Sequence, residues 1–267
     1  MKKLTLVPNA GLCNRLYAIT SAVVFKQTYP GVDVNIYWYK WFNCNCRFHD
    51  LFKPLPQEMP QVKELYFSIA NVPGHRLNLY IPQRIRGLFY DASILSELDK
   101  DGFDRIMKES EKVYVNKDCP FWEGYISESL AKIFRPADDI QRRIDDITTG
   151  WNGNVVGLHI RRTDNLRAIQ QTPMEYFVSI IDKELQSDDR IRFYVATDDA
   201  TVKEYLKGKF GEHILTEEFC LKRNSLQGMK DAVVDLYCLG STSKIYGSSA
   251  STYSLCASQL FNRPLIV

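Results

Sequence analysis

The chain has 267 residues, longer than one average domain, so it holds two domains or one large α/β domain. Its 45% hydrophobic and 25% charged residues are the balance of a soluble globular protein, not of a disordered or fibrous one. With 34 basic and 32 acidic residues the net charge is +2, which excludes a global basic field for nucleic acid and makes any anion site local.

No secretory signal is expected, because the apolar segment after Met1-Lys2-Lys3 is short and broken by Pro8 and Asn9. No stretch approaches the roughly 20 apolar residues of a membrane helix, so no integral membrane segment is expected. The 7 cysteines are an odd number, and several sit in apolar patterns as buried thiols do. Reduced thiols and a cytoplasmic location follow as expectations. Cys44, Cys46 and His49 form a small cluster without a matching second pair, so no metal is expected there.

Taken in order, Lys3–Val7 is β-prone and ends at Pro8 and Asn9. Gly11-Leu-Cys-Asn-Arg-Leu16 then opens an apolar-periodic helix running to about Thr28, with Leu16, Ile19, Ala22 and Val23 on one face. Strand, glycine turn and helix open a nucleotide-fold half, yet the dinucleotide fingerprint is absent. Asn14 and Arg15 fall in the first helical turn, where the dipole favours anions; a purely structural turn is the plainer alternative. Val32–Lys40 alternates and reads as a strand. Residues 41–60 are irregular, and Leu65–Ala70 and Arg76–Ile81 read as short strands. Arg84 and Arg86 lie in a polar loop, and 92–111 is weakly helical. Lys112–Asn116 is a strand, followed by an aromatic loop with Phe121, Trp122 and Tyr125. Helices are predicted over Ser127–Phe134 and from Ala137 to about Thr149, and the turn-rich run Thr149–Asn154 is the expected domain joint.

From there strands and helices alternate regularly. The strands are Val155–Ile160, Arg192–Ala196, His213–Thr216, Lys244–Gly247 and Pro264–Val267. The helices are Pro173–Leu185, Ala200–Phe210, Gln227–Leu239 and Ser251–Phe261. That alternation implies a parallel, five-stranded Rossmann-like unit. Ligands in such sheets bind beyond the carboxyl ends of the strands. The first of these strands ends in Arg161, Arg162 and Asp164, and the second in Thr197, Asp198 and Asp199. Arginine forks suit phosphate oxygens through paired, charge-assisted bonds, although a solvated charged loop is the simpler alternative. After the fourth strand comes Ser248-Ser-Ala-Ser-Thr-Tyr-Ser254, more hydroxyls than a helix cap needs, and a cradle for phosphate at a helix start. Asp235 lies within a helix leading toward the sheet, where it either meets a ribose or base N–H or pairs with a neighbouring cation. Asp198-Asp199 ahead of a helix reads as a cap, not as a metal site.

His159-Ile-Arg161-Arg162-Thr-Asp164, Ala196-Thr-Asp198-Asp199 and Ser249–Ser254, in this order, resemble the donor half of the GDP-fucose-dependent fucosyltransferases, nearest to the core and nodulation-factor group. Gly11-Leu-Cys-Asn14-Arg15 is similar to the turn that opens related members. The resemblance implies a GT-B fold of two facing Rossmann-like domains, here an acceptor-side domain over 1–150 and a donor domain over 151–267. It implies Arg161 on the β-phosphate as the catalytic group, stabilising charge where it develops. It further implies His159, Arg162, Asp164, Asp198, Asp235, Ser249, Ser251 and Thr252 around the donor, with Asn14 and Arg15 contributing from the opposing domain. The implied reaction is inverting transfer of fucose from GDP-fucose to a glycan or lipid-linked saccharide, with no metal cofactor. Another nucleotide sugar, or a non-catalytic nucleotide- or sugar-binding module, is the alternative. The group's glutamate soon after the arginine motif is missing: Asn165–Gln171 has no carboxylate, so the general base is unassigned.

Overall fold

A computed structural model describes residues 1–64, 86–95, 99–122, 130–163 and 166–267. The strands expected at Leu65–Ala70 and Arg76–Ile81, together with Tyr125 and residues 127–129 of the helix expected at Ser127–Phe134, lie outside the described residues. The chain divides into two compact units, one holding 1–128, 132–137 and 222–229, the other 129–131, 138–221 and 230–267. Among the described residues no helix is long and apolar enough to cross a membrane.

The first unit is built on β1 (Lys3–Pro8), α1 (Leu12–Thr28), β2 (Asp33–Trp38), β3 (Val62–Glu64), β4 (Ala92–Ile94), α2 (Lys100–Glu109) and β5 (Lys112–Lys117). Its sheet has the order β3-β2-β1-β5-β4, with every pair parallel. The region 92–111, expected to be weakly helical throughout, instead begins with strand β4. Three residues paired to β5 are enough for a strand, and a window this short shows no period. Strand alternation sorts Leu4, Leu6, Val34, Ile36, Trp38, Val113 and Val115 to one apolar, buried face. Phe121 and Trp122 belong to the core: Trp122 packs on Phe25, Tyr29 and Phe103.

The second unit carries α4 (Asp138–Thr148), β6 (Val155–Ile160), α5 (Leu166–Gln171), α6 (Met174–Ser187), β7 (Arg192–Thr197), α7 (Ala200–Phe210), β8 (Ile214–Leu215), most of α8 (Leu226–Ser241), β9 (Ile245–Gly247), α9 (Thr252–Phe261) and β10 (Leu265–Ile266); the short α3 (Leu130–Ile133) is divided between the two units. Before β6 the chain turns at Gly150 and Gly153, both at positive φ. The sheet order is β10-β9-β6-β7-β8, again all parallel. All six residues of β6 are buried, because helices cover both faces of a central parallel strand. Val156, Leu158 and Ile160 pack with Phe193, Val195, Phe177, Ile181, Val202 and Leu206 on one face. Val155, Gly157 and His159 point to the other. A side chain at 157 would meet Leu239 Cδ1 and Thr242 Oγ1 at 2.7 Å, so the glycine lets α8 cross close over β6. The crossovers wind outward from β6 in both directions, to β7 on one side and to β9 on the other. The switch point therefore lies between β6 and β9, at their carboxyl ends.

Candidate functional site

At that switch point the ladder between β6 and β9 runs one residue past the strands. Ser248 N donates to His159 O at 2.9 Å, Ser248 Oγ donates to the same carbonyl at 3.1 Å, and it accepts from Arg161 N at 3.0 Å. Ser248, 1% exposed, thus fixes the backbone from which Arg161 projects. The Arg161 side chain keeps 19% of its surface exposed, and its Nε lies 3.7 Å from Asp198 Oδ2. That separation is a loose ion pair, which orients the guanidinium.

Asp198 follows β7 and serves the neighbouring loop. Its carboxylate accepts from Arg162 N at 2.7 Å and from Thr163 Oγ1 at 2.6 Å. A carboxylate repels a diphosphate, so this placement makes Asp198 a holder of the Arg161–Thr163 segment. Asp199 caps α7, accepting from Thr201 N at 2.9 Å. Arg162, expected near the donor, turns inward. Its Nη1 donates to Arg161 O at 3.0 Å and its Nη2 to Thr172 O at 2.7 Å, with the guanidinium 5.7 Å over Phe177. It closes the connection between β6 and α6 upon itself. Asp164 lies outside the described residues.

After β9, Ala250 adopts φ 52°, turning the chain into Ser251, the N-cap of α9, whose Oγ accepts from Tyr253 N at 3.4 Å. Thr252 opens the helix and is exposed. Ser249 Oγ donates to Gln171 Oε1 at 2.5 Å, tying this turn to the end of α5. Ser249, Ser251 and Thr252 therefore stand together at a helix start beside Arg161's strand end, as the hydroxyl run implied.

Deeper on the same side, Gly157's open face brings Asp235 of α8 over the sheet. Tyr194 OH donates to Asp235 Oδ1 at 2.7 Å, and Tyr253 OH lies 3.2 Å from Oδ2 and 2.9 Å from Ala232 O. The residue is partly exposed, but its carboxyl group is enclosed by these rings. Burial pushes its pKa from 3.8 up to about 6, against the pull of the Tyr194 hydroxyl and the Lys203 charge. His159 is 5% exposed and stacks on Tyr253 with ring centroids 5.0 Å apart, and its Nδ1 has no hydrogen-bond partner. Burial, with Arg161 adding to it, lowers its pKa from 6.5 to about 3, so the imidazole is neutral. Tyr194 and Tyr253 were absent from the sequence-derived site. No local pattern marks a strand tyrosine as the partner of a helix aspartate 41 residues later.

In the first unit, Asn14 sits half-buried in the first turn of α1. Arg15, expected to contribute to the donor site, is 0% exposed, its Nε donating to Ala10 O at 2.9 Å and its Nη1 to Tyr39 O at 2.6 Å. Its guanidinium lies over Trp38 and Tyr39 at 4.7 and 4.4 Å. The charge is held by rings and carbonyls inside the core. None of the 7 cysteines is in a disulfide, and the Cys44 and Cys46 sulfurs lie 3.9 Å apart. Among the described residues no group of three or more His, Cys, Asp or Glu is arranged to hold a metal ion.

Residues 107–228 match the family of α-(1,6)-fucosyltransferase N- and catalytic domains. The architecture is shared with three solved proteins. NodZ α-1,6-fucosyltransferase soaked with GDP-fucose is 15% identical, covering 97% of this chain and 93% of its own, at a TM-score of 0.61. The FUT1 mutant R284K of Arabidopsis thaliana in complex with GDP is 13% identical, covering 99% of this chain and 69% of its own, at 0.65. POFUT1 in its apo form is 11% identical, covering 99% and 97%, at 0.59. At these identities the structural likeness speaks for the α/β fold of two parallel sheets, and the family match speaks for the chemistry. The chain is thus similar to the fucosyltransferases in one family segment, residues 107–228, and in its fold.

Proposed function

We propose that the protein transfers fucose from GDP-fucose, with inversion at the anomeric carbon, to a hydroxyl of a glycan or lipid-linked saccharide. The observation that carries this reading is Arg161: a partly exposed guanidinium at the switch-point strand end, its backbone pinned by Ser248 and its Nε steered by Asp198. Negative charge develops on the diphosphate as the glycosidic bond breaks. A preorganised guanidinium beside it stabilises the leaving group without a metal ion. The start of α9, with Ser249, Ser251 and Thr252, offers donors to the same phosphates. Asp235, once ionised, accepts from base N–H groups, and the neutral His159 offers Nδ1 to the nucleoside. Arg162 and Asp198 position Arg161 and do not bind the donor themselves. Asn14 keeps its donor-side role on resemblance alone, and no residue is assigned as general base. Seven cysteines without a disulfide favour the cytoplasm, where thiols stay reduced.

GDP release is measured with GDP-fucose and an acceptor pool. Arg161→Ala lowers turnover by about 10²–10³-fold, the usual loss for one charge-stabilising donor. Equal turnover by variant and parent removes Arg161 from this role. Thermal shifts with GDP, UDP and ADP rank the donor nucleotide, since a ligand bound only to the native state raises Tm.

A further inference from the structure

The two faces of the first unit's sheet differ in kind. One is apolar, as described. On the other, register places Asn35 of β2, Thr5 of β1, Tyr114 of β5 and Ser93 of β4 side by side, a polar row across four strands. Tyr114 and Thr5 are 1% and 2% exposed, and Thr5 Oγ1 has no hydrogen-bond partner. Over this row lies Arg86, 5% exposed, its guanidinium carbon 5.4 Å from the Tyr114 ring centroid. Its Nε is buried without a partner, and among the described residues no carboxylate or carbonyl accepts from its fork.

Arg15, the same unit's other buried guanidinium, has two carbonyls and two aromatic faces, and only its Nη2 is left without a partner. Among the described residues Arg86 has one aromatic face and no acceptor. A guanidinium buried with its Nε–H unfilled is costly, and a packing role alone is served as well by methionine. The fork matches a planar or tetrahedral oxyanion, and Thr5 adds a hydroxyl beside it. Lys63, 5.7 Å over Tyr37 and bonded at 2.5 Å to Asn35 Oδ1, adds positive charge on the same face. Thr5 lies three residues before the end of β1, roughly 10 Å along the strand at about 3.3 Å per residue, so a group held here sits away from the strand's carboxyl end.

We infer that Arg86, Tyr114 and Thr5 form an oxyanion subsite for the acceptor, which is a saccharide bearing a carboxylate or a phosphate. The inference rests on the transferase reading above and adds the acceptor's charge to it.

The test uses an oligosaccharide carrying a terminal glucuronate, its carboxyl-reduced neutral counterpart, and a phosphorylated counterpart. Binding to the full chain is measured by calorimetry without donor, so absence of transfer does not decide the outcome. The parent binds at least one anionic form tenfold or more tighter than the neutral one, and which form it is names the source of the oxyanion. Arg86→Met abolishes that preference, and Arg86→Lys restores part of it for phosphate but little for carboxylate, which needs the fork. The GDP affinity of each variant reports on the second unit and separates this outcome from failure of the donor assignment. Without ligand, Arg86→Met has a Tm equal to or above the parent's. Equal affinity of the parent for all three saccharides overturns the subsite. So does a Tm several degrees lower in Arg86→Met, which makes Arg86 a packing post.

Discussion

Asp235→Asn separates stability from function, and the structure sets the size of the effect. In the native protein the carboxyl group is held at a pKa of about 6 instead of 3.8. A raised carboxylate pKa means that the native state binds the proton more tightly than the unfolded chain does. Stability is therefore full below pH 4 and is lost as pH rises toward 6. At about 1.4 kcal/mol per pH unit, the loss above pH 6 is about 3 kcal/mol. Asparagine removes the titration, and it also removes one acceptor oxygen from the two tyrosines, which costs about 1 kcal/mol. The variant is then about 2 kcal/mol more stable than the parent at pH 8 and about 1 kcal/mol less stable at pH 4. His159 titrates with the opposite sign. Lowered from 6.5 to about 3, it contributes stability above pH 6.5 that is lost as pH falls toward 3. Between pH 6 and 4 the two slopes oppose, so the parent's curve is flat there and the variant's falls steeply with acid. Urea unfolding without nucleotide at pH 4, 6 and 8 reads all of this, and GDP affinity at pH 8 falls in the same variant. A stability difference that is destabilising at every pH refutes the reasoning, because Asp235 is then an ordinary hydrogen-bonded carboxylate.

Gly157→Ala lowers stability by about 1–3 kcal/mol, read from the urea midpoint, because the added methyl meets Leu239 and Thr242 at 2.7 Å; no loss means that α8 shifts freely. Arg162→Ala leaves the Arg161 and Thr172 carbonyls without their donor and raises amide exchange across 161–172, at a cost of about 1–3 kcal/mol. It weakens GDP binding less than Arg161→Ala does, and the reverse order makes Arg162 the phosphate ligand. Arg143→Ala strips the cation 2.7 Å from Asp231, a carboxylate that also holds Cys220 N at 2.8 Å, and lowers Tm in a manner that Arg143→Lys rescues in part.

Local pattern carried most of the second unit. β6 and α7 have the predicted ends, Val155–Ile160 and Ala200–Phe210, because an unbroken apolar run and a clean helical period need no partner to be read. The arginine motif, the hydroxyl run and Asp235 were visible for the same reason: residue type, order and position relative to a strand end are properties of the chain alone. α5 and β4 escaped, being six and three residues long, too short to show a period.

What each charged group does was decided only by folding. Adjacent arginines at 161 and 162 read alike in one dimension, yet consecutive side chains leave a strand end in different directions. One stays partly exposed beside Asp198 while the other closes on Thr172. Arg15 and Asn14 likewise share a helical turn, but only Arg15 falls on the buried face between Trp38 and Tyr39. Sequence specifies periods and chemical groups, since these are local. Partners such as Tyr194 for Asp235, or Tyr114 beneath Arg86, arise from register between strands and from the approach of helices across them, and those distances exist only once the chain has packed.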